Sequence, residues 1–147
     1  MVQSVGKSFG VVKLQLSDIA VDFSVPRQEE KIAEGHKGFS VTLNSTLSFE
    51  EAAIRRDFTI NAMGYDLKAK KLLDPFGGQK DLEARRLDIV NAETFVEDTL
   101  RLYRAVQFAA RFGLEATTRL LQLALNMVEQ QRLDELTKER GCEERKK

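Results

Sequence analysis

The apolar positions alternate in strand fashion near the start of the chain and recur at helical spacing from about Glu93 onward. Val11-Val12-Lys13-Leu14-Gln15-Leu16 is rich in β-formers with partial alternation and predicts a strand. Asp18 to Val25 predicts a second: Ile19, Val21, Phe23 and Val25 share one face, and Asp18, Ala20, Asp22 and Ser24 the other. Leu16-Ser17-Asp18 is short enough for a tight hairpin connection, and Pro26 ends the second strand. The stretch from Gln28 to Ser48 shows little periodicity and reads as a mobile loop. Ser48-Phe49-Glu50-Glu51 has the serine-to-glutamate spacing of a capping box and predicts a short helix leading into Arg55.

The second half continues the pattern. Met63 to Leu67, a lysine-rich turn and Leu72-Leu73-Asp74 predict a hairpin, Asp74-Pro75-Phe76-Gly77-Gly78 a turn, and Gln79 to Arg86 a short helix. From Glu93 to Phe112 runs one long helical pattern, with Phe95, Thr99, Leu102, Val106 and Ala109 as its core stripe and Gly113 as its C-cap. Thr117 to Gln130 predicts another amphipathic helix, through Leu120, Leu121, Leu123, Leu125 and Val128. Leu133 to Leu136 extends the helical character, and the charged tail from Lys138 to Lys147 is expected to fray.

A chain of 147 residues is one domain or two small lobes. Its 42% hydrophobic and 31% charged content suits a folded globular protein. No apolar run approaches the ~20 residues a membrane span needs, and the first residues do not read as a secretory signal. One cysteine, Cys142, cannot form an internal disulfide, which fits a reducing cytoplasm. Basic and acidic residues balance at 23 each, so RNA contact requires local basic patches. Lys68, Lys70 and Lys71 form one such cluster, readable as a solvated turn or a phosphate contact. A lone histidine, His36, makes no metal site.

The chemistry concentrates in Arg55-Arg56-Asp57-Phe58-Thr59-Ile60-Asn61-Ala62-Met63. Arginines and an aspartate interleaved with apolar anchors fit a short buried turn or helix whose polar groups converge. Guanidinium forks grip phosphate oxygens bidentately, so a phosphate-bearing ligand is one reading. A partly buried Arg–Asp pair that only holds local geometry is the other. Further on, Glu97, Asp98 and Arg101 fall at helical spacing and reach neighbouring positions.

Taken with Asp74-Pro75-Phe76-Gly77-Gly78 and Glu97-Asp98-Thr99-Leu100-Arg101, the Arg55–Met63 segment resembles the bacterial tRNA nucleotidyltransferase (CCA-adding) and poly(A) polymerase family. The three motifs stand in the family's order, and the likeness runs from about Gly6 to Gly113. It implies an α+β fold: part of a polymerase-β-like nucleotidyltransferase head over residues 1–74, with a small antiparallel or mixed sheet and helices. A hinge and helical neck follow over 75–147. The implied reaction adds CMP or AMP, from CTP or ATP, to an RNA 3′ end such as that of tRNA, with Mg2+. The resemblance places Asp98 and Arg101 at the base edge, with Glu97 orienting Arg101 and Arg104 alongside. An acceptor set beside a donor suits the amine and ring nitrogen of cytosine and adenine, whereas uracil and guanine present the reverse order. It likewise implies Asp57 at the sugar hydroxyls, Arg56 at the triphosphate, Asn61 as a brace, and Asp74, Gly77 and Gly78 as a hinge. A glycine-bounded loop, Gly6 to Gly10, is expected near the nucleotide, and Asp22, five residues before Arg27, as an accessory carboxylate at the metal.

The family's Gly-Gly-x-x-Arg-Asp loop and Asp-x-Asp metal pair do not occur in this sequence. The expectation is therefore a family member without the first part of its head. The alternatives are a non-catalytic NTP- or RNA-binding fragment, a poly(A) polymerase, or a fragment without function. Unpaired sheet edges are expected to favour self-association.

Overall fold

A computed structural model describes residues 2–4, 11–31 and 39–130. The Gly6–Gly10 loop, His36, Leu133 to Leu136, Cys142 and the charged tail lie outside them. The chain divides into two compact units, Met1–Ser48 and Phe49–Lys147. Among the described residues no helix is long and apolar enough to cross a membrane.

In the first unit β1 (Val2–Ser4), β2 (Val11–Leu16) and β3 (Ile19–Ser24) form an antiparallel sheet in chain order. Leu16 faces Ile19 across a two-residue turn, whose Ser17 takes a left-handed φ of 51°. The predicted hairpin is thus present, with its tight connection at Ser17-Asp18. Its apolar face stays open, with Val12, Ile19 and Phe23 all exposed. The stretch read as a mobile loop instead holds a second hairpin, β4 (Arg27–Lys31) against β5 (Phe39–Leu43). Strand β4 has no apolar residue, so periodicity could not reveal it; main-chain pairing defines it.

The second unit begins with α1 (Phe49–Ala53), just after Ser48 as predicted, and continues through a 3-10 turn at Thr59–Asn61. A hairpin of β6 (Gly64–Asp66) and β7 (Lys71–Leu73) follows, with Tyr65 opposite Leu72. Then come α2 (Gly78–Glu83), β8 (Arg86–Leu87), α3 (Ala92–Phe95), α4 (Leu100–Phe112), β9 (Glu115–Ala116) and α5 (Thr118–Glu129). Strands β8 and β9 pair in parallel. The architecture is α+β, with small sheets, mostly antiparallel, and helices. Its core gathers Phe58, Leu87, Ile89, Phe95, Leu102, Leu114, Leu120 and Met127.

Two helical expectations need correction. The pattern read as one helix from Glu93 to Phe112 is two, α3 and α4, separated by a turn through Glu97 and Asp98. Asp98 causes the break: its carboxylate accepts from the Leu100 amide at 3.1 Å, and a short acid side chain competes for such amides outside a helix. The buried stripes are also displaced. Val106 is 70% exposed, and Leu121, Leu125 and Val128 face outward while Leu120 and Met127 are buried. Helix α5 gathers Arg119, Gln122, Asn126 and Glu129 on one face, but its apolar arc is wider than the buried stripe, so the pattern alone cannot fix which part of the arc meets the core.

The paired glycines of the Asp74–Gly78 turn meet different needs. Gly77 takes φ +74°, in the left-handed region, with nothing near its missing Cβ. A Cβ on Gly78 would strike the Thr59 carbonyl group, with its carbon only 2.8 Å away. Gly78→Ala therefore forces two backbone segments apart and is expected to cost about 3 kcal/mol, as overpacking does. Gly77→Ala is expected to cost about 1 kcal/mol, for φ alone. Thermal unfolding of the two variants checks the order. In the same assay Leu120→Ala is expected to cost about 2–5 kcal/mol, and the exposed Leu121→Ala within about 0.5 kcal/mol of nothing. Equal losses at 120 and 121 would contradict the orientation of α5.

Candidate nucleotide-selection site

Phe58 fixes the position of the site. Its ring is fully buried, 6.0 Å from that of Phe95 and 5.4 Å from that of Phe108. Its backbone bridges antiparallel to Ile89; the Thr59 amide donates to the Asp88 carbonyl at 3.0 Å, and the Val90 amide to that of Asp57 at 3.3 Å. With the backbone held on both sides, the neighbouring polar side chains have fixed directions. Thr59 donates its hydroxyl to Asp81 Oδ2 at 2.8 Å, and Arg86 donates to Asp81 Oδ1 at 2.9 Å, which ties α2 to the 3-10 turn.

Asp57 is 7% exposed and nearly saturated. Its Oδ1 accepts from the Phe58 amide at 2.9 Å and from Asn61 Nδ2 at 3.0 Å. Its Oδ2 accepts from Arg104 Nε at 2.6 Å. A carboxylate offers about four acceptor positions, so about one is left. Asn61 braces this aspartate. Arg104 also lies over the Phe108 ring, 5.4 Å from its centroid.

Arg101 projects from the first turn of α4 into a collar of main-chain oxygens. Nη1 donates to the Thr94 carbonyl at 2.7 Å and Nη2 to that of Arg55 at 2.8 Å. These bonds fix the guanidinium plane. Burial lowers its pKa below the usual arginine value, against the opposing charges of Asp98, Asp57 and Glu97, and with Arg55 adding to the fall. The group stays protonated at neutral pH.

Glu97 is not where helical spacing put it. Its carboxylate accepts from Arg55 Nη2 at 2.9 Å. The helix break places it off α4, so it reaches Arg101 through Arg55, whose own carbonyl Arg101 grips. Neither Arg55 nor Thr94 stood among the expected site residues. The arginine doublet signalled the first; a backbone carbonyl has no sequence signal. The structure thus brings together Asp57, Asn61, Glu97, Asp98, Arg101 and Arg104.

Arg56 stands apart from this cluster, exposed, with no side-chain hydrogen bond or ion pair among the described residues. It lines a cleft of about 60 Å3 with Asn61, Ala53, Ala62, Met63 and Phe49. That volume admits a water or a phosphate-sized group, and is well short of the roughly 300 Å3 of a small-molecule pocket. Asp74 is not directed at a ligand: Oδ1 accepts from the Gly78 amide at 2.7 Å and Oδ2 from the Gln79 amide at 2.9 Å, capping α2. Asp22, in the first unit, is exposed opposite Lys13, 3.9 Å away. Among the described residues no three acidic, histidine or cysteine side chains converge. A lone carboxylate does not make a Mg2+ set, so these residues do not fit the metal and no step below runs through it.

Comparison with known proteins places the chain in a family. Residues 1–88 match the model of the poly A polymerase head domain. The multifunctional CCA protein of Neisseria gonorrhoeae (strain NCCP11945) is 40% identical over 142 residues, 97% of this chain and 34% of that protein. Its namesake in Acinetobacter baumannii (strain AYE) is 40% identical over 145 residues, with the same coverage. The chain spans about a third of the length of these curated relatives. A CCA-adding enzyme in its apo form II superposes with a TM-score of 0.82 at 26% identity, over 98% of this chain and 34% of that one. A tRNA nucleotidyltransferase complexed with a primer tRNA and an incoming ATP analog gives 0.80 at 28%, over 99% and 40%. A tRNA-processing enzyme with CTP gives 0.79 at 27%, over 98% and 36%. With a head-domain match across more than half its residues, the chain belongs to the poly A polymerase head-domain family.

Proposed function

We propose that this chain is the nucleotide-selecting part of an RNA nucleotidyltransferase that adds CMP and AMP, from CTP and ATP, to the 3′ end of tRNA. One observation carries the reading: residues 55–61 and 97–104 are tied together by the Arg55–Glu97 pair, the Asp57–Arg104 pair and the Arg101 bond to the Arg55 carbonyl. The relatives named for CCA addition, and the likeness to enzymes solved with CTP and with tRNA plus an ATP analog, support the substrates.

In this reading Asp98 accepts from the exocyclic amine of the base, and Arg101 donates to the adjacent ring nitrogen. Two Arg101 donors are spent on carbonyls, which fixes the directions of those that remain, and a base with the reverse pattern leaves buried groups unpaired. Asp57 takes a ribose hydroxyl on its remaining acceptor position, held in place by Asn61 and Arg104. Arg56, with no partner to give up, binds the triphosphate. Asp74, Gly77 and Gly78 form the turn between a head segment, 1–74, and a neck, 75–147. The working compartment in this reading is the cytoplasm.

Calorimetry of the four NTPs against the chain tests the selection. ATP and CTP are expected to bind and GTP and UTP not, with binding lost in Arg101→Ala and not restored in Arg101→Lys, which lacks the planar fork. Equal affinity for all four would overturn the reading. Asp57→Ala strands three donors and is expected to lower stability by about 1–3 kcal/mol. It should also raise dATP binding relative to ATP. A lowered melting temperature with an unmoved dATP-to-ATP ratio would leave Asp57 a purely structural residue.

A further inference from the structure

The β6–β7 hairpin presents a surface that the selection site does not use. Tyr65 and Leu72 lie opposite each other in register and share one face. Tyr65 is 58% exposed, Leu72 43%, and Leu67 at the tip 84%. A two-stranded ribbon that leaves its aromatic–aliphatic pair in water gains little stability from it, so that pair is available to a partner. Lys68, Lys70 and Lys71 crowd the turn, all exposed, with Lys70 at a left-handed φ of 52°. The acid of the hairpin, Asp66, is turned inward: its Oδ1 accepts from the Lys68 and Ala69 amides at 2.8 and 2.9 Å. Its hydrogen-bonding capacity goes to shaping the turn, and the outer rim presents cations.

The hairpin is also anchored rather than loose. At its base Gly64 packs so closely on the Phe49 ring that a Cβ would overlap it. Met63, the residue before it, lines the cleft that holds Arg56. The ribbon therefore rises directly from the wall of the cleft.

An exposed aromatic flanked by aliphatic side chains and rimmed by lysines matches one kind of partner well. Single-stranded nucleic acid carries a π-face on every base and a negative charge on every phosphate. An acidic protein surface would use the lysines but has no regular need of the tyrosine face. We propose that the β6–β7 hairpin is an RNA-docking element: Tyr65 with Leu72 forms a stacking platform for an unpaired base, and Lys68, Lys70 and Lys71 bind the flanking phosphates. The assignment extends the proposed function by giving the RNA strand a seat beside the cleft, and rests on that reading for the choice of RNA.

The test uses the full 147-residue chain and a short fluorescent single-stranded RNA, titrated by anisotropy at several salt concentrations. Replacing Lys68, Lys70 and Lys71 together by alanine is expected to weaken binding and to flatten the log–log salt dependence by about two units, as the loss of three phosphate contacts on a single strand requires. Tyr65→Ala is expected to lose roughly tenfold or more in affinity, and Tyr65→Phe to retain it, because stacking needs the ring and not the hydroxyl. All these side chains are exposed, so melting temperatures should stay at the parent value. Calorimetric binding of CTP and ATP should be unchanged in every hairpin variant, which keeps this assay separate from that of the selection site. Parent chain that fails to bind the RNA, a salt slope unmoved by the lysine replacements, or equal loss in Tyr65→Ala and Tyr65→Phe would each overturn the assignment. Failure of NTP selection with hairpin-dependent RNA binding intact would overturn only the proposed function.

Discussion

The complete burial of Phe58 is the constraint on which the second unit depends. Wedged between Phe95 and Phe108, it draws its own backbone against Ile89 and carries Asp57 and Thr59 below the surface. Buried polar groups must be paired, and the two residues send their side chains to different elements: Asp57 to Arg104 on α4, Thr59 to Asp81 on α2. One apolar anchor thus obliges two polar links. An ion pair buried this way adds little net stability against an apolar substitute, but removing one partner strands the other. Its gain is in fixing direction.

The same economy governs Arg101. An arginine in an open cleft samples many rotamers and loses that freedom on binding. Here two carbonyl contacts settle the ordering during folding, so a ligand meets a guanidinium already set. Glu97 holds Arg55, and Arg55 presents one of the carbonyls, so Glu97 bears on the direction of the Arg101 guanidinium at one remove.

How much of this was legible in the sequence follows from which atoms carry it. Strands β2 and β3 alternate in composition, at least in part, and the β6–β7 hairpin is marked by its lysine-rich turn; those signals announced them. Strand β4, Arg27 to Lys31, is polar throughout and was silent, although Phe39-Ser40-Val41-Thr42-Leu43 opposite it does alternate. The motifs named residues, from Asp57 to Arg104, that lie close together in the second unit. The helical spacing assumed for Glu97 and Asp98 failed because Asp98 caps α4 from outside instead of riding on it. Asp57 was read as a group facing a sugar, and its bonds to Asn61, Arg104 and the Phe58 amide could not be inferred from a linear motif. The carbonyls of Thr94 and Arg55 are main-chain groups, and every residue has one.

The parallel pairing of β8 with β9 bears on how the molecule assembles. No hairpin can make a parallel pair: the chain must complete α3 and α4 before Glu115 donates its amide to the Arg85 carbonyl at 2.8 Å. Glu97, Asp98, Arg101 and Arg104 all lie inside that crossover. Closing a loop of this length costs entropy before any contact repays it, which puts the closure late among folding events. The residues of the candidate site are therefore ordered with the closure, and a chain short of it holds helices without the contacts that join Arg101 and Arg104 to residues 55–57.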